Sequence, residues 1–229
     1  MSSHACSGKY ARLIVFDMDS TLIDAETIDE LAKAAGVGDE VAEITRRAMN
    51  GEMDYGEALR ERVVLLRGLS VERAVEAAGQ IRYNLGAEEL VSRVKSLGYT
   101  TAMISGGFTL SADRIGGELG MDYVYSNELE VDGNILTGEV IGPLLEHDSK
   151  MRVLIHIAEQ EGVDYRRCIV IGDGANDIQL FKKAGYRIAF NSKPVLQRYA
   201  DVVVEGNDLH KVIPIIEALD LAITLDSPL

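Results

Sequence analysis

The chain has 229 residues, of which 47% are hydrophobic and 26% are charged, and these proportions are typical of a folded globular protein and exclude a largely disordered one. Its 23 lysines and arginines against 37 aspartates and glutamates give a formal net charge of −14, and such a surface repels nucleic acids and anionic membranes. No apolar run approaches the roughly 20 residues that cross a bilayer. We therefore expect neither nucleic acid nor a membrane as a partner.

The N-terminal segment and the two cysteines favour a cytoplasmic location. Residues 1–10 are small and polar, which indicates a loose tail, and they lack the apolar segment of a secretory signal. Cys6 lies in this tail and Cys168 opens an apolar run, so the pair forms neither a disulfide framework nor a metal-binding motif. The prediction is a protein of the reducing cytoplasm.

Short apolar runs rich in β-branched residues predict the strands of a buried parallel sheet. These runs are RLIVFD (12–17), YTTAMIS (99–105), CIVIG (168–172), YRIAF (186–190) and DVVV (201–204). Helical segments such as 87–97 and 151–161 separate them. This alternation predicts an α/β fold, a Rossmann-like doubly wound parallel sheet with helices on both faces, whose ligands bind at the carboxyl ends of the strands.

Two segments depart from that alternation. Residues 25–85 show only helical periodicity, which predicts a helical cap inserted into an α/β core made of residues 1–24 and 86–229. Asp132 and Gly133 form a hairpin signal between ELEV and NILTGEV. A small antiparallel β-ribbon is expected there.

Acidic residues follow the first predicted strand. Asp17 and Asp19 lie two residues apart, just beyond RLIVF, where both can point into the same cleft. Such acids often mean only that a strand has reached water. A buried pair of like charges, however, costs several kcal/mol unless a cation or a proton lies nearby, so the pair is also a candidate catalytic or metal site.

Three further groups are expected near the same edge of the sheet. The segment GDGAND places Asp173 at a strand end and Asp177 one turn later, a pattern that suits Mg²⁺ as well as simple helix capping. Ser105 and Gly106 end another strand before a helix, where a hydroxyl and bare N–H groups can form a phosphate cradle, although SGG is equally typical of a simple tight turn. Lys150, in the loop before the helix MRVLIHIA, is a candidate fixed positive charge.

In this order and spacing the four motifs resemble those of the haloacid-dehalogenase-like phosphatase superfamily, namely DMDST, the serine of YTTAMIS, Lys150 and GDGAND. The resemblance extends from about Arg12 to about Ile216. Within the superfamily, FDMDSTLIDAETIDELA, GEMDYGEALRERVVLL and ISGGFTLSADRI resemble the phosphoserine phosphatase family. The resemblance implies hydrolysis of O-phospho-L-serine, the last step of serine biosynthesis, and so a small phosphate ester as the partner.

The resemblance also implies roles for the motif residues. Asp17 is the nucleophile that becomes an aspartyl-phosphate, and Asp19 is the general acid and then the general base. Ser105, Gly106 and Lys150 hold phosphate oxygens and stabilise charge in the transition state.

A magnesium ion is implied as the cofactor. Its ligands are Asp17, the backbone carbonyl of Asp19, and Asp173, with Asp177 and Asn176 supporting it from the fourth motif, where Asn176 also faces the substrate. Together with the lysine, the metal makes the site locally positive inside an acidic protein.

The predicted cap supplies the residues for the rest of the substrate. By resemblance, Glu26 binds the amine and Arg62 the carboxylate, which an arginine grips with two hydrogen bonds. Met49 and Tyr55 match positions that close an apolar lid, and Tyr55 stands where relatives often carry phenylalanine.

Three alternatives remain open. The same fold acts on another phosphomonoester or transfers the phosphoryl group to an alcohol, or the chain is a receiver-like signalling module, or it is a catalytically inactive binding protein. The cap and Asp19 argue against a receiver, and the complete set of motif residues gives no support to an inactive protein. The sequence leaves the oligomeric state, monomer or homodimer, undecided.

Overall fold

The computed structural model describes residues 12–49 and 52–225, which form a seven-stranded sheet flanked by helices. The strands are β1 (Arg12–Phe16), β2 (Tyr99–Phe108), β3 (Tyr123–Asp132), β4 (Ile135–Ile141), β5 (Ile169–Gly172), β6 (Tyr186–Phe190) and β7 (Val202–Val204). The helices are α1 (Thr27–Ala35), α2 (Gly38–Met49), α3 (Tyr55–Val64), α4 (Val71–Gly79), α5 (Ala87–Ser96), α6 (Thr109–Leu119), α7 (Ser149–Glu161), α8 (Ile178–Phe181), α9 (Pro194–Gln197) and α10 (Ile213–Leu225). The predicted loose tail, residues 1–10, lies outside the described residues.

The sheet has the strand order β4-β3-β2-β1-β5-β6-β7. All neighbouring strands run parallel except β4, which runs antiparallel to β3 at the edge. The five strands predicted from apolar runs are all present, and the α/β fold class is confirmed. The first strand lies at the centre, between β2 and β5. Because the carboxyl ends of these three strands meet at one edge, the segments that follow them share a single cleft.

The central strand β1 contributes side chains to two hydrophobic cores, one on each face of the sheet. Ile14 and Phe16 point to the face covered by α5 and α6, while Leu13 and Val15 point to the face covered by α7. All four side chains are fully buried. A strand buried on both faces reads as a continuous apolar run, which is why RLIVF was recognisable in the sequence.

The insertion after β1 has a third core of its own. Within the described residues, 27–79 hold four helices and no strand of the sheet. Apolar side chains of this insertion, such as Leu31 of α1 and Leu66 of the link after α3, form one core with Phe108 and Leu136 of the sheet edge. Each such buried side chain contributes about 1.5–3 kcal/mol. The domain boundaries at 24/25 and 85/86 stay a prediction.

The link between α3 and α4 also covers an edge of the sheet. Gly68 N–H donates to the Leu136 carbonyl, and Leu136 N–H donates to the Leu69 carbonyl, both at 2.9 Å. The outer edge of β4 is thereby paired at Leu136, which protects this end of the strand against association with another strand. The helical insertion and the β-ribbon therefore support each other.

Two predicted strands are longer than expected. β2 continues through Ser105 to Phe108, with a register shift against β3 between Ile104 and Phe108. β3 begins as a parallel neighbour of β2 and then runs on into the hairpin with β4, which turns at Gly133 with φ 60°. The antiparallel ribbon is thus present, but as an extension of the sheet edge. Among the described residues, no helix combines the length and apolar character that a membrane span requires.

Candidate active site

Asp17 follows β1 directly and lies at the centre of the cleft. Its backbone N–H donates to the Ile171 carbonyl at 2.9 Å, which extends the sheet by one residue and fixes the start of the side chain. Oδ1 accepts from Met18 N–H at 2.7 Å, and Oδ2 accepts from Asn176 Nδ2 at 3.2 Å. The side chain is 3% exposed, so it is held in one orientation away from bulk water.

Lys150 joins two carboxylates in the same place. Its Nζ lies 2.8 Å from Asp17 Oδ1 and 2.8 Å from Asp177 Oδ1, and its side chain is only 5% exposed. Burial by itself lowers the pKa of the ammonium, but the charges of Asp17 and Asp177 outweigh this and raise it above its usual value. Lys150 was predicted in a loop. The structure places it in the first turn of α7, because the helix begins at Ser149.

Three buried carboxylates surround this contact. Asp17, Asp173 and Asp177 each offer an oxygen, and these atoms all lie within 4.8 Å of one another. Asp177 Oδ2 also accepts from the N–H groups of Asp173 at 3.2 Å and Gly174 at 3.4 Å, which orients it toward β5. Three carboxylates against one ammonium leave an excess of negative charge.

Burial and the crowding of these carboxylates raise the pKa values of two of them, Asp173 and Asp177. Burial, followed by the charge of Asp17, raises the pKa of Asp173 to about 9 and that of Asp177 to about 7. Acids with such values favour a second positive charge beside them. The set of hard oxygen donors fits a divalent metal ion.

The predicted phosphate cradle lies within β2. Ser105 is fully buried, and its Oγ accepts from Gly107 N–H at 2.9 Å. Gly106 has no room for a side chain, because a Cβ there would lie 2.1 Å from the Tyr55 hydroxyl oxygen. The helix α3 therefore reaches the cradle through Tyr55. Burial is the main reason that the pKa of Tyr55 rises to about 12, so the group stays a neutral hydroxyl.

Asp19 follows Asp17 by two residues, in the turn Met18–Leu22, where its own backbone is extended with φ −63° and ψ 135°. Its Oδ1 accepts from Thr27 Oγ1 at 2.6 Å and from Thr27 N–H at 3.2 Å. Burial, then the charge of Glu26, raises the pKa of Asp19 well above its ordinary value. The raised pKa favours the protonated form of this carboxyl group, which is the form that a general acid requires.

The predicted substrate residues of the cap, Glu26 and Arg62, each bond to a protein group. Glu26 Oε1 accepts from Ser20 Oγ at 2.6 Å, and burial raises the pKa of Glu26. Arg62 donates from Nε to the Ala58 carbonyl at 3.1 Å. Its charge opposes the shift at Glu26, so the two lie within electrostatic reach. The side chain of Met49 lies outside the described residues.

Some supporting residues were not found from the sequence. Ser20 adopts φ 55°, in the left-handed region that a non-glycine residue rarely enters, and this turn brings its hydroxyl to Glu26. In the sequence Thr27 looks like an ordinary residue at the start of a helix. Its hydrogen bonds to Asp19 could therefore not be predicted from the sequence.

Asn127 was missed as well. On β3 it is fully buried, and its Nδ2 donates to the carbonyls of Gly106 at 3.2 Å and Leu144 at 3.1 Å. Its Oδ1 accepts from Leu144 N–H at 2.9 Å, so it ties the cradle to the chain ahead of α7. Asparagine is disfavoured inside a strand unless its side chain makes hydrogen bonds of this kind. An asparagine in a predicted strand was therefore the one feature of the sequence that could have indicated this role.

Comparison with known proteins agrees with this geometry. The family model for haloacid dehalogenase-like hydrolases matches residues 14–182. A phosphoserine phosphatase of Methanocaldococcus jannaschii is 44% identical over 209 residues, which cover 91% of this chain and 99% of that protein. One of Archaeoglobus fulgidus is 47% identical over 209 residues, and there the match covers 91% of this chain but 61% of the longer relative.

Solved structures give the same result. A phosphoserine phosphatase determined as a phospho-aspartyl intermediate analogue superposes with a TM-score of 0.87 at 43% identity, covering 90% of this chain and 99% of that one. A substrate-bound phosphoserine phosphatase complex gives the same score, identity and coverage. The likeness includes the inserted helices as well as the sheet, because it extends over nearly the whole of both chains.

Proposed function

This chain belongs to the haloacid dehalogenase-like hydrolases and, within them, to the phosphoserine phosphatases, and we propose that it hydrolyses O-phospho-L-serine to L-serine and phosphate through an aspartyl-phosphate, in the last step of serine biosynthesis. The observation that carries the mechanism is the buried contact of Asp17 with Lys150, at 2.8 Å. A carboxylate held this way, away from water and beside a fixed cation, is prepared to meet a phosphate group.

In the first step Asp17 attacks phosphorus and the bond between phosphorus and the serine oxygen breaks. Asn176 and Lys150 hold the carboxylate in position, so little reorganisation is needed. In the second step water attacks the phosphorus of the aspartyl-phosphate, which releases phosphate and restores the Asp17 carboxylate.

Asp19 moves the protons in both steps. Its raised pKa favours a protonated carboxyl that donates to the departing serine oxygen. The carboxylate that results then accepts a proton from the attacking water. One group therefore serves as acid and then as base.

The transferred phosphoryl group is held by the cradle. We assign the phosphoryl oxygens to the hydroxyl of Ser105, the backbone at Gly106 and the ammonium of Lys150, of which Lys150 contacts Asp17 directly. These groups stabilise negative charge on the phosphoryl oxygens, which is the main source of catalysis in phosphoryl transfer. Together with a bound divalent metal, Lys150 would give an acidic protein a locally positive place for an anionic substrate.

Magnesium is proposed as the metal. Asp17, Asp173 and Asp177 would hold it together with the backbone carbonyl of Asp19, and three buried carboxylates beside one ammonium fit a doubly charged cation. Bound there, it would neutralise charge on the phosphate.

Substrate choice is assigned to the cap. Glu26 would bind the ammonium group and Arg62 the carboxylate of the substrate, with Tyr55 and Met49 closing over it. The opposing charges of Glu26 and Arg62, which lie within electrostatic reach of each other, match the two charged groups of an amino acid.

The function is tested by phosphate release from L-phosphoserine, phosphothreonine, a sugar phosphate and p-nitrophenyl phosphate, each with Mg²⁺ and with a chelator. We expect Mg²⁺-dependent turnover with a strong preference for L-phosphoserine. Turnover of other esters alone would retain the mechanism and reject the roles of Glu26 and Arg62. If none of the esters is hydrolysed, the proposal that this chain is a phosphatase is wrong.

A cytoplasmic location stays a prediction. It agrees with Cys168, which is fully buried and whose pKa burial raises to about 12, so that it behaves as a small apolar residue.

A further inference from the structure

Thr27 contacts Asp19 in a way that helix formation does not require. It is the first residue of α1 and is fully buried. The residue that caps this helix is Glu26, and its side chain makes no capping hydrogen bond. The hydroxyl of Thr27 therefore serves a partner outside the helix, and that partner is Asp19 Oδ1 at 2.6 Å.

The two oxygens of Asp19 have different surroundings. Oδ1 accepts both hydrogen bonds from Thr27, one from the hydroxyl and one from the backbone N–H at 3.2 Å. A carboxylate oxygen has about two lone-pair sites, so both sites of Oδ1 are occupied. A proton on the carboxyl group consequently belongs on Oδ2.

Oδ2 faces the phosphate cradle. It lies 2.8 Å from the position that a Cβ would take at Gly107, and the N–H of Gly107 donates to Ser105 Oγ. The oxygen able to carry the proton is therefore the oxygen beside the groups that receive the phosphoryl group.

We propose that Thr27 is a positioning residue, which holds the carboxyl group of Asp19 so that Oδ2 exchanges the proton with the leaving oxygen and with the attacking water. This inference rests on the proposed function. Since Thr27 opens the first helix of the predicted cap, next to Glu26, the placement of the acid depends on the position of that helix.

The test compares Thr27→Val, which keeps the shape but removes the hydroxyl, with Thr27→Ser, which keeps the hydroxyl. Thr21→Val is the matched control, because Thr21 is also fully buried and its hydroxyl has no hydrogen-bond partner among the described residues. Thr27→Ala is a second hydroxyl-free variant if Thr27→Val folds poorly. Circular dichroism and thermal unfolding check the fold of each protein.

Two substrates separate positioning from structure. The serine oxygen of L-phosphoserine needs a proton to leave, whereas p-nitrophenolate leaves without one. We expect Thr27→Val to lower kcat on L-phosphoserine by roughly 10- to 100-fold with KM changed far less, and Thr27→Ser to stay near wild type. Release of p-nitrophenolate in a single turnover should change by no more than about twofold, because it does not depend on the acid.

Equal losses on both substrates, or wild-type kcat in Thr27→Val with L-phosphoserine, would overturn the inference. So would a loss in Thr21→Val as large as that in Thr27→Val. If the wild-type protein hydrolyses other alkyl phosphates but not L-phosphoserine, the proposed function fails, and the same comparison on those alkyl phosphates still decides the role of Thr27.

Discussion

The two sides of the cleft are organised differently. On the sheet side, Asp17, Lys150 and Asp177 are joined by direct contacts of 2.8 Å, and each side chain is at most 5% exposed. On the cap side, Glu26 is bonded to Ser20 and Arg62 to its own helix at Ala58. The groups for phosphoryl transfer are thus already assembled, while those for the rest of the substrate have partners that a ligand can replace.

The difference between the sheet side and the cap side shows which part of the site has to be rigid. Transition-state stabilisation depends on donors and charges that do not reorganise during the reaction, and a buried sheet edge provides this. Recognition of a small amino acid requires groups that release their own contacts when the substrate arrives, and helices outside the sheet allow it. Substitutions on the two sides should therefore differ in which substrates they affect.

The largest effect is expected from Asp17→Asn. An amide cannot act as the nucleophile, so turnover of L-phosphoserine and of p-nitrophenyl phosphate should both fall by at least about 10⁴-fold. Phosphate release measures this, and circular dichroism should show an unchanged fold. Turnover near the wild-type rate in Asp17→Asn would refute the proposed chemistry.

Lys150→Met is expected to come next. It removes the charge that balances Asp17 and Asp177, so kcat should fall on both substrates by roughly 10²- to 10³-fold. The buried carboxylates lose their partner, which should lower the free energy of unfolding by about 3–5 kcal/mol when measured by urea titration without metal.

The matched control is Lys182→Met, because Lys182 is an exposed lysine on the same face of the sheet, just after α8. It should leave kcat unchanged and lower the free energy of unfolding by at most about 1 kcal/mol, because its Nζ lies 5.2 Å from the centroid of the Tyr199 ring. A loss confined to one substrate in Lys150→Met would contradict the assignment of Lys150 to the phosphate.

Arg62→Ala should affect one substrate only. Without a partner for the carboxylate, kcat/KM on L-phosphoserine should fall by about 10²-fold, while p-nitrophenyl phosphate should be hydrolysed within about threefold of wild type. Arg60→Ala is the control, since Arg60 lies on the same helix but is exposed. Equal losses on both esters would show that Arg62 supports the fold of the cap rather than the substrate.

The sequence was most informative where a physical constraint is local. A central parallel strand must be apolar throughout, and acids at its end are visible directly, so β1 and Asp17 followed from pattern and motif. The start of α7 was misplaced, because the hydrogen bond of Ser149 N–H to the Glu146 carbonyl forms a turn ahead of the helix that leaves no mark in the pattern.

Long-range contacts explain the remaining differences. Strand β2 was ended at Ser105 because SGG reads as a turn, whereas the register shift against β3 allows the strand to continue. Asn127 bonds to Gly106, 21 residues away, and Thr27 bonds to Asp19, 8 residues away. A local sequence pattern does not predict contacts of this kind. The packing of the cap on Phe108 likewise follows from tertiary structure alone.

Metal and pH should act together on stability. In the unfolded chain an aspartate has a pKa of about 3.9. In the folded protein the pKa of Asp177 is about 7 and that of Asp173 is about 9. Since the folded state binds these protons more strongly, the stability of the metal-free protein should fall as the pH rises from about 4 through about 9. The melting temperature without metal should consequently be lower at pH 8 than at pH 6.

Mg²⁺ should reverse this trend, because it replaces the protons on the same carboxylates. We expect the rise in melting temperature on adding Mg²⁺ to be larger at pH 8 than at pH 6, and to be lost in Asp173→Asn. An equal rise at both values of pH in the wild type, or a full rise in Asp173→Asn, would place the metal elsewhere.

The smallest effect concerns the point where cap and sheet meet. In Gly106→Ala the new Cβ would lie 2.1 Å from the Tyr55 hydroxyl oxygen, but 3.3 Å from Cζ of the same ring. Gly106→Ala should lower kcat/KM on L-phosphoserine by roughly 10-fold, because Tyr55 must move away from the cradle. Tyr55→Phe alone should change it by only about threefold, since the ring still closes the cleft.

Combining the two substitutions distinguishes contact from independent damage. Removal of the hydroxyl makes room for the new methyl group, so the double variant should recover most of the activity lost in Gly106→Ala, with a coupling of about 0.5–3 kcal/mol. If the losses simply multiply, Tyr55 does not lie on Gly106 during turnover. The enzyme would then work with the cap in another position, and the separation between a preassembled sheet side and an adjustable cap side would be greater still.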